Sequence, residues 1–455
     1  MSDPARFSAS ELRDAAAGQW FGGMPDAPLA VSTDTRIDNR GRIFFALRGE
    51  KFDAHDFLDK AVASGCGALC IDRRRLADAP AGIPLLAVED TLRALQGCAA
   101  FHRRRFSGLT LLGVTGSVGK TSVKEMLRAI CVGAAGNDAV LCTEGNTNNQ
   151  IGVAQNLLKL TAGHRYAVIE AGTSSFGEIE PLSRMMLPAG AIVNAIAPCH
   201  LEKLGDLDGV AREKSAIFSA LVSGGAAVFP AKTAGAGILR RAAEKFRIFT
   251  FGMDGEGDVS ARFLGGDLTG SRFALTFGTG ENFTVSWQLT GAHNALNAAG
   301  AAALAAACGI APDVIAASLP RTVLPGMRMK KSIIGGVTYW NDAYNANPAS
   351  LHASLELLAA SAPAGRLFLV LGGMRELGEI SETAHRTVLA EAKTKLPGAH
   401  IITVGPEFSG LSECHFPQAE DAGVYLAAML RPGDMVFAKG SRGNAVEKAL
   451  PQEAR

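Results

Sequence analysis

The chain has 455 residues, of which 47% are apolar and 20% are charged, and its formal net charge is +1. This length exceeds one ordinary hydrophobic core, so two or three folded domains are expected, and the composition excludes a largely disordered protein. The near-zero net charge gives no electrostatic reason to expect nucleic acid or an anionic membrane as a partner. We interpret the basic run Arg103–Arg105 as the solvated end of a helix.

The eight cysteines are scattered, with no C-x-x-C pair and no His-Cys cluster at zinc spacing. Cys66, Cys70, Cys131 and Cys308 lie in apolar runs, where a free thiol packs as a small hydrophobe. This usage predicts a reducing compartment. The N-terminal segment lacks a signal-peptide pattern and no apolar stretch is long enough to span a bilayer, so we expect a cytoplasmic protein without membrane insertion.

The first elements, between residues 28 and 86, are predicted to be short strands with one helix. PLAVSTDTR, RIFFALRG, ALCIDR and PLLAVED have extended patterns, and HDFLDKAVASG has a helical one. A further helix is expected from Asp90 to about Arg105.

Alternating strands and amphipathic helices follow from Leu109. LTLLGV, AVIEAG and AIVNAIA are short apolar runs typical of buried parallel strands. Between Ser260 and Leu289 the residues alternate around glycine-rich turns, which predicts antiparallel hairpins, and an alanine-rich helix is expected over about Ala295–Ala307.

Two prolines and a glycine near Leu319–Gly326 mark a domain boundary. Beyond it, RLFLVLGG, HIITVG and DMVFAKG are apolar strands separated by helical stretches, which indicates a second α/β unit. The prediction is an α/β fold of three domains, at residues 1–86, 87–320 and 321–455, with the middle one largest.

The segment GVTGSVGKTS (Gly113–Ser122) joins a predicted buried strand to a helix, where backbone N–H groups and the helix dipole favour anions. A tight turn with an exposed lysine is the alternative, but the flanking strand and helix favour a nucleoside triphosphate site. Lys120 would supply positive charge and Thr121 a hydroxyl for Mg²⁺. The residues assigned to the phosphates are Gly116, Ser117, Val118, Gly119, Lys120, Thr121 and Ser122.

Three polar residues elsewhere have two interpretations each. Glu170 ends the strand AVIE, where it could bind Mg²⁺ beside Thr121 or be a solvated strand-end carboxylate. His200 follows the strand AIVNAIA, but a lone histidine is more often structural than a ligand. Lys214 lies on a predicted helix, where the default interpretation is a surface charge.

The ordered set of motifs from about Ser32 to Arg442 resembles the Mur ligases, in particular the MurF type. TGSVGKTS is similar to the family's ATP loop, TEGNTNNQIG to its substrate-facing loop and AHNALNAAGAA to its adenine-side motif. The segments NDAYNANP, LGGMRELGE with His385 after it, and KGSR resemble C-terminal motifs of the subgroup. STDTR and GEKFDAHDF look like its UDP-sugar-binding features.

The resemblance implies catalytic roles for Lys120, His200 and Lys214, with Mg²⁺ held by Thr121, Glu170, His200 and Lys214. Lys214 matches a lysine that is carbamylated in several Mur ligases; an ammonium would repel Mg²⁺, whereas a carbamate is an anionic oxygen ligand. The nucleotide residues implied beyond the loop are His293, Asn294, Asn297, Arg328 and Asp342. The substrate-binding residues implied are Ser32, Thr33, Asp34, Thr35, Arg36, Phe52, His55, Asp56, Phe57, Asn146, Asn148, Asn149, Tyr344, Asn345, Asn347, Lys439, Ser441 and Arg442.

In fold, the resemblance implies a small N-terminal UDP-binding domain, a central P-loop ATPase-like domain with a mostly parallel sheet, and a C-terminal Rossmann-like domain for a dipeptide and part of the nucleotide. In activity, it implies an ATP-dependent ligase that joins D-alanyl-D-alanine to the UDP-linked cell-wall tripeptide through an acyl phosphate. The partners implied are small-molecule substrates alone, and the state implied is a monomer.

The chain departs from the family pattern at several positions. Ser215 and Ala216 follow Lys214 where Gly-Glu is common, Met327 displaces Arg328 by one residue, and Gly373 stands where the subgroup has an aspartate. Arg442 could clamp a substrate carboxylate or be an ordinary surface arginine. The alternative functions are a sister Mur ligase, a folylpolyglutamate synthase, or a nucleotide switch without turnover.

Overall fold

Three β-sheets follow one another along the chain, each flanked by helices. The computed structural model of the chain describes residues 4–49, 52–361 and 365–455. The predicted α/β class with three successive units is confirmed by the sheets. The limits of the domains stay a prediction. The second and third sheets fall within the predicted ranges, whereas the first sheet ends two residues past residue 86, at Val88.

The first sheet has six strands in the order β1-β3-β4-β5-β6-β2, parallel except at its two edges. Helix α1 begins with a capping box, because Ser8 Oγ accepts from Glu11 N and the Glu11 carboxylate accepts from Ser8 N. The elements are β1 (Arg6–Phe7), α1 (Ala9–Ala16), β2 (Gln19–Phe21), β3 (Leu29–Ser32), β4 (Arg42–Phe45), α2 (Leu58–Ala63), β5 (Ala68–Asp72) and β6 (Leu85–Val88).

Helix α3 (Thr91–Arg104) joins the first and middle sheets. Its residues Leu95, Cys98 and Ala99 are fully buried in a core that also contains Leu12 of the first unit and Leu157 of the second. The N-cap is Asp90, whose carboxylate accepts from Leu92 N and Arg93 N. One continuous apolar core therefore spans both units.

The middle sheet has nine strands in the order β15-β14-β13-β12-β11-β10-β7-β9-β8. The strands from β13 to β8 are parallel, and β14 and β15 form the predicted antiparallel hairpins. The strands are β7 (Thr110–Thr115), β8 (Val140–Cys142), β9 (Tyr166–Glu170), β10 (Gly190–Val193), β11 (Ala226–Pro230), β12 (Arg247–Met253), β13 (Val259–Asp267), β14 (Gly270–Phe277) and β15 (Asn282–Trp287). The helices are α4 (Lys120–Ala135), α5 (Gln150–Leu157), α6 (Ile179–Met186), α7 (Leu201–Leu204), α8 (Leu207–Ser215), α9 (Ala236–Ala242), α10 (Ala292–Ala307) and α11 (Pro312–Ser318).

The third sheet has six strands in the order β16-β17-β21-β18-β19-β20, with only β16 antiparallel to its neighbour. Apolar cores lie on its two faces, and one of them also contains Leu268 from the turn between β13 and β14 of the middle sheet. The elements are β16 (Lys330–Ile334), β17 (Val337–Asn341), α12 (Pro348–Ser361), β18 (Leu367–Gly372), α13 (Ser381–Lys395), β19 (His400–Val404), β20 (His415–Phe416), α14 (Ala419–Met429) and β21 (Met435–Lys439).

The cysteines are free thiols; Cys66, Cys70 and Cys131 are buried as expected, and Cys308 is half-buried. Burial raises the pKa of the Cys66 thiol to about 11, which keeps it protonated at neutral pH. No helix within the described ranges combines the length and apolar character needed to cross a bilayer.

The interpretation of Arg103 as part of a solvated helix end is wrong. Its side chain is buried, and the guanidinium donates to the carbonyls of Phe106, Leu109, Met186 and Leu187. Two of these carbonyls lie at the C-terminal end of α6, and the other two lie in the segment between α3 and β7. Arg103 therefore donates hydrogen bonds to backbone carbonyls at the ends of regular elements.

We expect Arg103→Met to lower the free energy of unfolding by about 2–4 kcal/mol, because it leaves several buried carbonyls without a donor. The shift of the urea unfolding midpoint measures this loss. The neighbouring Arg104 is exposed, so Arg104→Met is the matched control and leaves the midpoint unchanged. Equal midpoints for the two variants would contradict the role given to Arg103.

Candidate active site

A cavity of about 1200 Å³ lies where the carboxyl ends of strands from the middle and third sheets face each other. In the middle sheet, pairing of β7 with β9 and β10 brings Thr115, Glu170 and Val193 to one edge. In the third sheet, pairing of β21 with β17 and β18 does the same for Asn341, Lys439 and Leu371. Ligands of open α/β sheets bind at such edges.

The predicted strand, loop and helix around Gly113–Ser122 are confirmed, with α4 beginning directly after Gly119. Gly119 has φ +77°, and a Cβ there would lie 2.3 Å from Asn194 Nδ2 and 2.6 Å from Asn297 Oδ1. Only glycine fits this position. Lys120 Nζ donates to Gly116 O at 2.8 Å, so in this structure its ammonium closes back over the loop.

Asn194, which the sequence did not single out, connects the loop to the adenine-side motif. Its Nδ2 donates to Val118 O at 3.1 Å and to Asn297 Oδ1 at 2.8 Å. Asn297 in turn donates to Asn294 Oδ1, and Asn294 to Thr290 O. Asn194 Oδ1 is buried without a partner among the described residues, and Asn194 and His293 both line the cavity. The sequence signal that could have identified Asn194 is its position directly after an apolar strand.

Glu170 is 2% exposed, so its interpretation as a solvated strand-end carboxylate is wrong. Its Oε2 accepts from Thr121 Oγ1 at 3.1 Å and its Oε1 from Asn148 Nδ2 at 2.9 Å. Both partners are neutral, and within the described ranges no lysine, arginine or histidine forms an ion pair with it. A buried carboxylate in this state lacks a compensating cation.

His200 precedes α7 in a left-handed conformation, with φ +52°, and lines the cavity. Its Nδ1 lies 2.6 Å from Glu376 Oε2, which belongs to the third unit. The contact gives the imidazole a structural role between two units and brings it into the same cavity as Thr121 and Glu170.

Lys214 lies on α8 and is 1% exposed, so its interpretation as a surface charge is wrong. Burial, together with the charge of Lys120, lowers the pKa of its ammonium to about 8. It forms no ion pair with a carboxylate of the described residues. The neighbouring Glu213 is also buried, but its carboxylate accepts from the backbone N–H groups of Gly177, Glu178 and Ile179 instead.

The third unit reaches the phosphate loop through Arg328. Its Nη2 donates to Thr121 Oγ1 at 3.0 Å, and its guanidinium stacks 3.6 Å above the centroid of the Tyr344 ring. Tyr344 Oη donates to Asn146 Oδ1 at 2.9 Å. The displacement by Met327 therefore does not keep Arg328 from the site.

The other predicted residues of the third unit lie along the same wall. Lys439 Nζ pairs with Asp342 Oδ2 at 2.6 Å, and Arg442 Nη1 with Glu447 Oε1 at 2.9 Å. Asn345, Asn347 and Ser441 also line the cavity. Asn347 accepts from Ser350 N in the first turn of α12, and Asn149 accepts from Gly152 N at the start of α5, so these two amides support helix ends.

The predicted residues of the first unit lie outside this cavity. Ser32 ends β3, and Thr33 and Thr35 lie in the loop that follows. Asp34 and Arg36 form a bidentate pair in this loop, and Gln155 Nε2 of the middle unit donates to Thr33 Oγ1. The Phe52 and Phe57 rings stack with centroids 4.7 Å apart, and Phe52 is exposed, as is Asp56 between them in the chain. Glu50 and Lys51 of the segment GEKFDAHDF lie outside the described residues.

His55 differs from the other residues of this group because it is buried. Its Nδ1 lies 2.6 Å from Asp53 Oδ1, and its Nε2 accepts from Asp72 N at 3.0 Å. Both ring nitrogens are occupied within the first unit, so His55 supports the loop that carries the phenylalanines and presents no free nitrogen to a ligand.

Two family models match the chain: the Mur ligase middle domain over residues 114–305, and the Mur ligase glutamate ligase domain over residues 327–442. The UDP-N-acetylmuramoyl-tripeptide–D-alanyl-D-alanine ligase of Escherichia coli (strain K12) is 36% identical over 451 residues, which cover 97% of each chain.

Solved structures agree with this similarity. The chain matches MurF from Acinetobacter baumannii with a TM-score of 0.91 and 31% identity, covering 99% of each chain. It matches MurF ligase from Thermotoga maritima in complex with ADP with a TM-score of 0.78 and 25% identity, covering 93% of this chain and 96% of that one. By its sequence motifs, its sheets and these matches, the chain belongs to the Mur ligase family.

Proposed function

We propose that this chain is the MurF-type ligase that joins D-alanyl-D-alanine to UDP-N-acetylmuramoyl-tripeptide, with hydrolysis of ATP to ADP and phosphate, in peptidoglycan precursor synthesis. The observation that carries the proposal is the cavity shared by the two sheets: the phosphate loop lies on one wall and the NDAYNANP and KGSR motifs lie on the other. An enzyme that joins an activated acid to an amine must hold both groups in one cavity, which requires binding residues on both walls.

ATP binding is supported by the loop and by the asparagines behind it. The N-terminus of α4 and the ammonium of Lys120 provide the positive field that a triphosphate requires. Asn194 Oδ1 is a buried acceptor without a partner among the described residues, next to Asn297 of the adenine-side motif. Arg328 and Asp342 would contact the nucleotide from the third unit.

The residues around Glu170 fit Mg²⁺. A hydroxyl and a carboxylate oxygen 3.1 Å apart are the hard oxygen ligands that this ion prefers, and within the described ranges the buried carboxylate forms no ion pair. Thr121, Glu170 and His200 would hold it, with Lys214 as a further ligand in its carbamylated form. When bound, the ion would neutralise charge on the phosphoryl group during transfer.

Carbamylation of Lys214 is supported by its burial and by its lowered pKa. The neutral amine is the form that adds CO₂, and a pKa of about 8 leaves about a tenth of the groups neutral at pH 7. A carbamate would also replace the repulsion between Lys214 and Lys120 by an attraction.

In the proposed reaction, the terminal carboxylate of the tripeptide attacks the γ-phosphorus of ATP. The new O–P bond gives an acyl phosphate as the bond to the β-phosphate breaks and ADP leaves. The dipeptide amine then attacks the acyl carbon and loses a proton, and phosphate leaves. Lys120 and Arg328 neutralise charge on the transferring group, and the facing walls keep water from the acyl phosphate.

The first unit is proposed to hold the UDP end through the 32–36 loop and the stacked phenylalanines, and the third unit to hold the dipeptide. Eight free cysteines, which are typical of a reducing compartment, support a cytoplasmic location. The monomeric state stays a prediction.

The test of the proposal is ADP release by the purified protein with ATP, Mg²⁺ and UDP-N-acetylmuramoyl-tripeptide. We expect release that depends on D-alanyl-D-alanine and is not supported by single amino acids such as glutamate. A sister Mur ligase or a folylpolyglutamate synthase would instead accept a single amino acid, and that outcome would contradict the assignment.

Lys120→Ala is expected to lower kcat by about 10²–10³-fold, because it removes the preorganised positive charge at the transferring phosphate. Steady-state ADP release at saturating substrates measures the change. Lys232 is 79% exposed on the middle unit and does not line the cavity, so Lys232→Ala is the control and retains kcat. Full activity of Lys120→Ala would rule out the catalytic role of the loop.

Lys214 is expected to give a carbamate carbon resonance when the protein is placed in ¹³C-bicarbonate. The resonance should weaken as the pH falls below about 8, because protonation removes the amine that adds CO₂. It should vanish in Lys214→Met and persist in Lys245→Met, where the lost lysine is exposed. Absence of any resonance that depends on Lys214 would contradict carbamylation.

A further inference from the structure

Four polar side chains form a cluster beside the cavity, at the carboxyl edge of the third sheet. We call Arg375, Glu407, Ser441 and Asn444 the Arg375 cluster. It lies next to Gly373, the position at which the chain departs from the aspartate of the subgroup pattern.

The departure at Gly373 is compensated from another element. A Cβ at this position would lie 2.1 Å from Glu407 Oε2 and 2.9 Å from Asn444 Nδ2, so the space for a longer side chain is already filled. Glu407 comes from the loop after β19, and its Oε2 accepts from Asn444 Nδ2 at 3.2 Å. A carboxylate is therefore present beside position 373, although the residue there is glycine.

This carboxylate and its neighbours hold Arg375 in place. Arg375 N donates to Ser441 Oγ at 3.0 Å, Nη2 donates to Asn444 Oδ1 at 3.0 Å, and Nε lies 3.4 Å from Glu407 Oε1. The guanidinium also packs on Gly443, where a Cβ would lie 2.2 Å from Nη1. The orientation of Arg375 thus depends on two glycines and three polar partners.

Arg375 differs from Lys439 and Arg442, two other cations of this wall, in what its outer nitrogens contact. Lys439 is paired with the Asp342 carboxylate and Arg442 with the Glu447 carboxylate. Among the described residues, the hydrogen-bond partner of the outer nitrogens of Arg375 is a neutral amide oxygen, and its side chain is 49% exposed at the cavity. Its guanidinium fork is therefore available to an anionic ligand, and carboxylates suit that fork.

We propose that Arg375 binds the C-terminal carboxylate of the incoming dipeptide and selects for amines that carry a free carboxylate. This inference rests on the proposed function. It also assigns the carboxylate clamp to Arg375 in place of Arg442, because an outer nitrogen of Arg442 is already paired with the Glu447 carboxylate.

The experiment compares D-alanyl-D-alanine with D-alanyl-D-alaninamide, which lacks the negative charge, in the wild type and in Arg375→Met. In the wild type, the KM of the amide should exceed that of the dipeptide by about tenfold to hundredfold. In Arg375→Met, the KM of the dipeptide should rise by a similar factor while that of the amide changes little, so the two become alike. The KM values of ATP and of the UDP-tripeptide should stay unchanged, and Arg375→Lys should recover part of the selectivity.

The control variant is Arg386→Met, since Arg386 pairs with Glu382 on the solvent side of α13 and does not line the cavity. Equal thermal unfolding midpoints show that each variant is folded. If Arg375→Met affects the dipeptide and the amide equally, or neither, the role of Arg375 is wrong while the ligase assignment stands. If the wild type releases no ADP with either amine, the proposed function fails, and the inference fails with it.

Discussion

The active site depends on one geometric constraint: parallel strands that pair in register end at the same edge of their sheet. In the middle sheet this places the phosphate loop, Glu170 and Asn194 side by side. In the third sheet it does the same for Asp342, Gly373 and Lys439. Because the two edges face each other, residues more than two hundred positions apart, such as Thr121 and Arg328, are within hydrogen-bond distance.

Much of this arrangement could be predicted from the sequence. The conformation of the phosphate loop is determined by its own residues. Apolar runs such as LTLLGV and RLFLVLGG identify buried parallel strands even when the neighbouring strands are unknown. Which strands pair, and therefore which loops meet, is a long-range property that no local pattern contains. Helix α1 and strands β11 and β12 lie outside the predicted elements, although β11 (AAVFP) is a fully buried apolar run.

The errors concern polar residues whose burial is decided by distant partners. Arg103 was expected in solvent because three adjacent arginines suggest a wet helix end, yet carbonyls more than eighty positions away surround it. The burial of Lys214 and Glu170 was missed for the same reason. The local sequence around a charged residue does not show whether another element covers it. Asn194 was missed for the opposite reason, since one amide at the end of an apolar strand has no distinctive spacing.

The continuous core around α3 has a mechanical consequence. The first and middle units share one core of many buried side chains, whereas the cores of the third unit include a single side chain of the middle unit, Leu268. The third unit also meets the phosphate-loop wall through polar contacts such as Arg328 to Thr121 and His200 to Glu376. A shared core resists relative displacement of the first and middle sheets, so a change in the width of the cavity would require movement of the third unit.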